Sequence, residues 1–78
     1  MNIGLIGAGS WGTALAILLG SKGFQVTLWI RRKNLLEKLS KTRENSDYLP
    51  GVYLPENIKL TNNLEEAVRE KNLLVIAV

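Results

Sequence analysis

The stretch Gly7 to Ala16, GAGSWGTALA, decides how the rest of this chain is read. Gly7, Gly9 and Gly12 satisfy the spacing G-x-G-x-x-G. Spacing alone says little, because glycine is common. The context says more. Ile3, Leu5 and Ile6 form a short apolar strand that runs into Gly7, and Trp11 to Lys22 carry Ala14, Leu15, Leu18 and Leu19 at helical spacing. A strand, a glycine turn and a helix in that order make a dinucleotide-binding turn. The first glycine permits the tight bend, the second lets backbone approach a pyrophosphate, and the third lets the helix pack closely on the strand. Free N–H groups of the helix's first turn then face the phosphates with the helix dipole behind them. Ser10 offers a hydroxyl either to the phosphates or to the helix end. Trp11 either packs on neighbouring loops or lines the cofactor groove.

Outward from that turn, Lys22-Gly23 ends the helix, and Gln25 to Ile30, QVTLWI, reads as a second strand rich in β-branched and aromatic residues. The residues that follow choose the cofactor. A fingerprint for NAD or FAD expects Asp or Glu about 20 residues past the glycines, bonded to a ribose 2′-hydroxyl. Arg31 stands there instead, followed by Arg32 and Lys33, with no carboxylate before Glu37. Guanidinium forks suit a 2′-phosphate, and their planes also stack on adenine. The pattern favours NADP, leaves NAD open and argues against FAD.

Asn34 is expected to cap a second helix, with Glu37 three residues on and Leu35, Leu36 and Leu39 on the buried side. Regular signals fade from Thr42 to Asn57, where Pro50-Gly51 marks a turn. Ile58 to Thr61 reads as a short third strand. Asn63 is expected to cap a third helix with Glu66 reaching back, and Leu64, Ala67 and Val68 form its apolar face. Leu73 to Val78, LLVIAV, reads as a strand covered on both faces. Strands alternating with helices predict an α/β Rossmann-type parallel sheet with helices on both faces. An apolar strand at the very end predicts that residues 1–78 are the N-terminal part of a dinucleotide-binding domain. The remainder of that domain and a substrate domain would lie outside this chain.

Composition narrows the classes. The chain is 46% hydrophobic and 22% charged, ordinary for a globular fold. No apolar run reaches the roughly eighteen residues that span a bilayer, and the N-terminal segment lacks the basic flank of a signal peptide. A cytoplasmic protein without membrane insertion is expected. With no Cys and no His, neither a disulfide, a thiolate metal site nor histidine catalysis can arise within the chain. The net charge of +3 is uneven: in residues 1–40 five basic residues face one acid, Glu37. A local excess fits a small phosphorylated ligand better than nucleic acid. Lys22, Lys38, Lys41 and Lys71 read as solubility residues, and Asp47 and Glu56 as isolated loop acids. No catalytic residue is assigned.

Several stretches together carry a family likeness: IGLIGAGSWGTALAILL (Ile3–Leu19), VTLWIRR (Val26–Arg32), TREN..YLPGV.LP.NI (Thr42–Ile58), LEEAV (Leu64–Val68) and IAV (Ile76–Val78). The chain resembles the first quarter of the bacterial-type NAD(P)-dependent glycerol-3-phosphate dehydrogenases. The resemblance implies interconversion of sn-glycerol 3-phosphate and dihydroxyacetone phosphate, a role in supplying phospholipid synthesis, and a cytoplasmic homodimer. It also implies that Ser10 and Trp11 contact the cofactor, that Arg31 and Arg32 hold its adenosine 2′-phosphate end, and that Tyr48 approaches the same groove. The family's catalytic lysine and substrate-phosphate ligands come later than residue 78, so the 78-residue chain alone is expected to be inactive. Ile30, Ser46, Asp47 and Asn72 depart from the family pattern, and Asp47 sets a negative charge near the expected anion site. Two other readings share the glycine turn: an NADP-dependent reductase of the hydroxy-acid or 6-phosphogluconate type, and a non-catalytic dinucleotide-binding module.

Overall fold

Apolar runs alternate along the chain with segments long enough to cross back over a sheet, and the computed structural model, which describes residues 1–77, follows that alternation. Its elements are β1 (Asn2–Ile6), α1 (Ser10–Ser21), β2 (Gln25–Trp29), α2 (Lys33–Thr42), β3 (Ile58–Thr61), α3 (Leu64–Val68) and β4 (Leu73–Ile76). The four strands form one sheet in the order β3-β2-β1-β4, every pair parallel. The chain steps outward from β1 to β3, then returns to the other flank of β1 as β4. Sheets of this kind bind ligands where the order reverses, at the carboxyl ends of the strands. Here that point is the end of β1, beside β4.

Helices cover both faces. Successive residues of a strand point to opposite sides, and Leu5 lies against Gly12 of α1, whereas a side chain at Gly4 would collide with the Ala67 carbonyl of α3. Ile3, Leu5, Val26, Leu28 and Ile58 make the core with Leu35 and Leu39 of α2 and Leu54. Ladder bonds run on past the strands, from Ile30 N to Thr61 O (2.8 Å) and from Ala77 N to Ile6 O (2.8 Å). They hold the carboxyl ends level. Ile30 therefore sits just beyond β2 yet is fully buried.

Four details differ from the expectations. The buried stripe of α1 is Gly12, Thr13, Ala16 and Gly20, while Leu18 is exposed and Leu15 and Leu19 are half-buried. The helix lies so close to the sheet that only small residues fit: a Cβ on Gly12 would strike the Gly7 carbonyl, and one on Gly20 would sit 3.1 Å from Ile58. Asn34 does not cap α2. Arg32, extended at φ −87° and ψ 125°, precedes the helix, and its carbonyl accepts from Leu36 N at 3.1 Å, so Asn34 lies inside the first turn. Asn63 does cap α3, accepting from Glu66 N at 3.3 Å, but the Glu66 carboxylate pairs with Lys59 (3.4 Å) instead of reaching back. Only Ala67 of that helix is buried; Leu64 and Val68 are exposed. Among the described residues β4 pairs with β1 alone, and Leu73, Leu74 and Ile76 are exposed. Val78 lies outside the described residues.

Candidate dinucleotide-binding site

The turn between β1 and α1 is set by two of its glycines. Gly7 has φ 121°, a region that side chains rarely adopt, and its N–H closes on Trp29 O at 3.3 Å. Gly12 is required by its contact with Gly7. Gly9 is different. Its backbone, φ −72° and ψ −169°, suits any residue, and an added Cβ would meet nothing within 4 Å. Neither backbone nor packing demands glycine there. What the missing side chain leaves is a clear approach to the backbone.

That backbone offers donors. Gly9 precedes α1 without a side-chain cap, and the first bond of the helix is Thr13 N to Gly9 O (2.9 Å). The N–H groups of Gly9, Ser10, Trp11 and Gly12 have no partner among the described residues. A helix start with four free donors and open space before it fits an anion such as a pyrophosphate.

Beside the turn opens a groove of about 340 Å³ lined by Ala8, Gly9, Ile30, Arg31, Arg32, Leu35 and Tyr48. Ile30 and Leu35 give it apolar surface, and the two arginines give it charge. Both guanidinium groups are exposed, and neither has an ion-pair partner among the described residues. Asp47 does not compete for them: its carboxylate takes Lys38 Nζ at 3.0 Å. That corrects the expectation of an isolated acid, and of a lysine serving solubility only.

Tyr48 arrives from the long connection between α2 and β3. Arg32 Nη2 donates to its hydroxyl at 3.4 Å. The Ser10 hydroxyl donates to the Tyr48 carbonyl at 2.9 Å, so Ser10 neither caps α1 nor has that proton free for a phosphate. Trp11 is 67% exposed and is absent from the groove wall. Gly9, Arg31, Arg32 and Tyr48 are thus brought to one groove, with Ser10 tying Tyr48 to the turn and Trp11 standing apart.

Sequence reasoning gave no role to three further residues, of which Asn45 holds the turn while Arg43 and Asn57 brace the loop and the far end of α1. Asn45 is fully buried and donates to Ala8 O (2.7 Å) and to Thr13 Oγ1 (2.8 Å). Arg43 adopts φ 59° and donates from Nη2 to Pro55 O (2.6 Å) and Ile58 O (2.9 Å). Asn57 donates to Gly20 O (2.7 Å) and Phe24 O (2.8 Å), closing the end of α1. Their only sequence signal was the Thr42–Ile58 stretch of the family likeness, which contains all three.

The geometry can be set beside known proteins. A family model described as the N-terminus of NAD-dependent glycerol-3-phosphate dehydrogenase matches residues 2–78. The chain belongs to that family. A glycerol-3-phosphate dehydrogenase [NAD(P)+] of Thermus thermophilus is 53% identical over 78 residues, covering 100% of this chain and 24% of the relative. One of Bacillus licheniformis is 43% identical over 77 residues, 99% of this chain and 22% of the relative. A crystal structure of the glycerol-3-phosphate dehydrogenase of Coxiella burnetii superposes with TM-score 0.93 at 35% identity, covering 99% of this chain and 24% of that one. The chain therefore spans about a quarter of the length of these relatives. The Rossmann-type sheet of the glycerol-3-phosphate dehydrogenases is the fold observed here. No helix among the described residues is long and apolar enough to cross a membrane.

Proposed function

We propose that this chain holds the cofactor of an NAD(P)-dependent dehydrogenase that interconverts sn-glycerol 3-phosphate and dihydroxyacetone phosphate, with NADP preferred. One observation carries the preference: two arginines without acidic partners occupy the end of β2, where an NAD site would place a carboxylate. Family membership supports the activity, and the free donors at the glycine turn support the cofactor.

In this reading Gly7 and Gly12 shape the turn and Gly9 admits the pyrophosphate. Ser10 and Trp11 contribute backbone N–H groups. Arg31 and Arg32 neutralise the adenosine 2′-phosphate, and Tyr48 closes the same end, its hydroxyl already bonded to Arg32. The nicotinamide, when bound, supplies the hydride chemistry. Residues 1–78 bind and orient; the reading assigns them no catalytic group, so the chain alone turns over nothing. It extends, on the family likeness, to a cytoplasmic homodimer that supplies glycerol 3-phosphate for phospholipid synthesis and binds no nucleic acid.

Calorimetric titration of NADPH and NADH into the full-length protein tests it. NADPH is expected to bind about tenfold or more tightly, the worth of one charge-assisted contact to the extra phosphate. Equal affinities, or a preference for NADH, would remove the 2′-phosphate role of the arginines.

A further inference from the structure

The Ala8 carbonyl receives two donors from the protein interior, Asn45 Nδ2 at 2.7 Å and Thr13 Oγ1 at 3.2 Å. No peptide bond here is cis, and in a trans peptide the N–H points opposite to the carbonyl. Holding the Ala8 oxygen inward therefore turns the Gly9 N–H away from Asn45, on the side of the groove that Ala8 and Gly9 line. That N–H has no partner among the described residues.

This peptide would otherwise turn over readily. Its rotation changes ψ of Ala8 and φ of Gly9, and Gly9 has no Cβ to oppose it. Turned over, it would present a carbonyl oxygen to an anion in place of a donor. The glycine that lets a ligand approach thus creates a weakness, and the amide that corrects it comes from 37 residues away.

We propose that Asn45 is a positioning residue that latches the Ala8–Gly9 peptide with its N–H toward the ligand, so that the pyrophosphate of a dinucleotide meets a donor. The unpaired end of the same side chain supports this. Asn45 Oδ1 is buried with no hydrogen-bond partner. An apolar side chain of similar shape would remove that cost, so packing alone does not explain an amide there. What the amide adds is two donors, and both are spent on the turn. The inference rests on the dinucleotide reading above.

Calorimetric titrations of NADPH and of adenosine 2′-monophosphate into the full-length protein separate the two. The second probe carries the 2′-phosphate but no pyrophosphate. Asn45→Leu is expected to weaken NADPH by roughly ten- to a hundredfold, the size of one hydrogen bond to a charged group, while leaving the monophosphate unchanged. Thr13→Val removes the other donor to Ala8 and should give the same pattern at smaller amplitude, with Thr13→Ser restoring it; this series carries the test if Asn45→Leu does not fold. Parallel loss of both probes would mean that Asn45 only holds the loop, and unchanged NADPH affinity would mean there is no latch; either overturns the proposal. A wild-type protein that binds neither probe would overturn the dinucleotide reading itself, and the latch with it.

Discussion

In the turn between β1 and α1 three glycines clear space, whereas in the loop from Arg43 to Pro55 side chains reach back to close it. The two regions meet at one groove. The turn works by subtraction: Gly12 lets the helix touch the strand, and Gly9 leaves the backbone bare. The loop works by addition. Arg43 binds two carbonyls near the start of β3, Glu44 Oε2 accepts from Gly51 N (2.8 Å), and Asn45 enters the interior beneath the turn. The difference teaches that a bare backbone site is only as well aimed as the side chains behind it. Glycines provide access, and the loop provides orientation.

Substitutions at three positions would break or sharpen that contrast. Gly12→Ala should cost most, about 3 kcal/mol of stability, because its Cβ would meet backbone that cannot rotate aside. Thermal and urea unfolding would show it, and a loss below about 1 kcal/mol would mean that α1 can lift from the sheet. Arg43→Ala comes next, at about 2 kcal/mol. It removes two charged hydrogen bonds but keeps the left-handed backbone that those bonds hold in place. Arg43→Gly should lose about 1 kcal/mol less by relieving that backbone, and equal losses would show that the bonds alone matter. Gly9→Ala should change stability by no more than about 0.5 kcal/mol. Weaker capping by alanine opposes the lower entropy of the unfolded chain, and nothing in the protein is struck. NADPH affinity should fall nonetheless, whereas retained affinity would mean that no ligand approaches Gly9.

The order of elements, the parallel sheet and the glycine turn were legible because each rests on a local pattern. Gly7, Gly9 and Gly12 are read within six residues, and Arg31-Arg32 within two. The buried face of α1 was misread for a physical reason. Large apolar residues usually mark the core, but a helix pressed against a sheet buries Gly12, Ala16 and Gly20 and turns Leu18 outward. Asn45 stood in the family likeness, but its role could not be seen. A polar residue in an irregular stretch reads as solvated, and its partners Thr13 and Ala8 lie 32 and 37 residues away. Only the folded chain brings them together.

The loop's own closure has a consequence for how such a site can vary. Leu54 N donates to Arg43 O at 2.7 Å, and Glu44 bridges Tyr53 in antiparallel fashion. The backbone thus enters and leaves the loop through one narrow gate. From Ser46 to Val52 the chain is a side branch, largely exposed and tied to the rest by Tyr48, Asp47 and Gly51. Asn45 is the first residue inside that gate, and its carbonyl accepts from Tyr48 N (3.1 Å) and Leu49 N (2.7 Å) of the tip. A change at the tip therefore reaches the glycine turn by two routes, through Asn45 to the Ala8 carbonyl and through the Tyr48 carbonyl to Ser10.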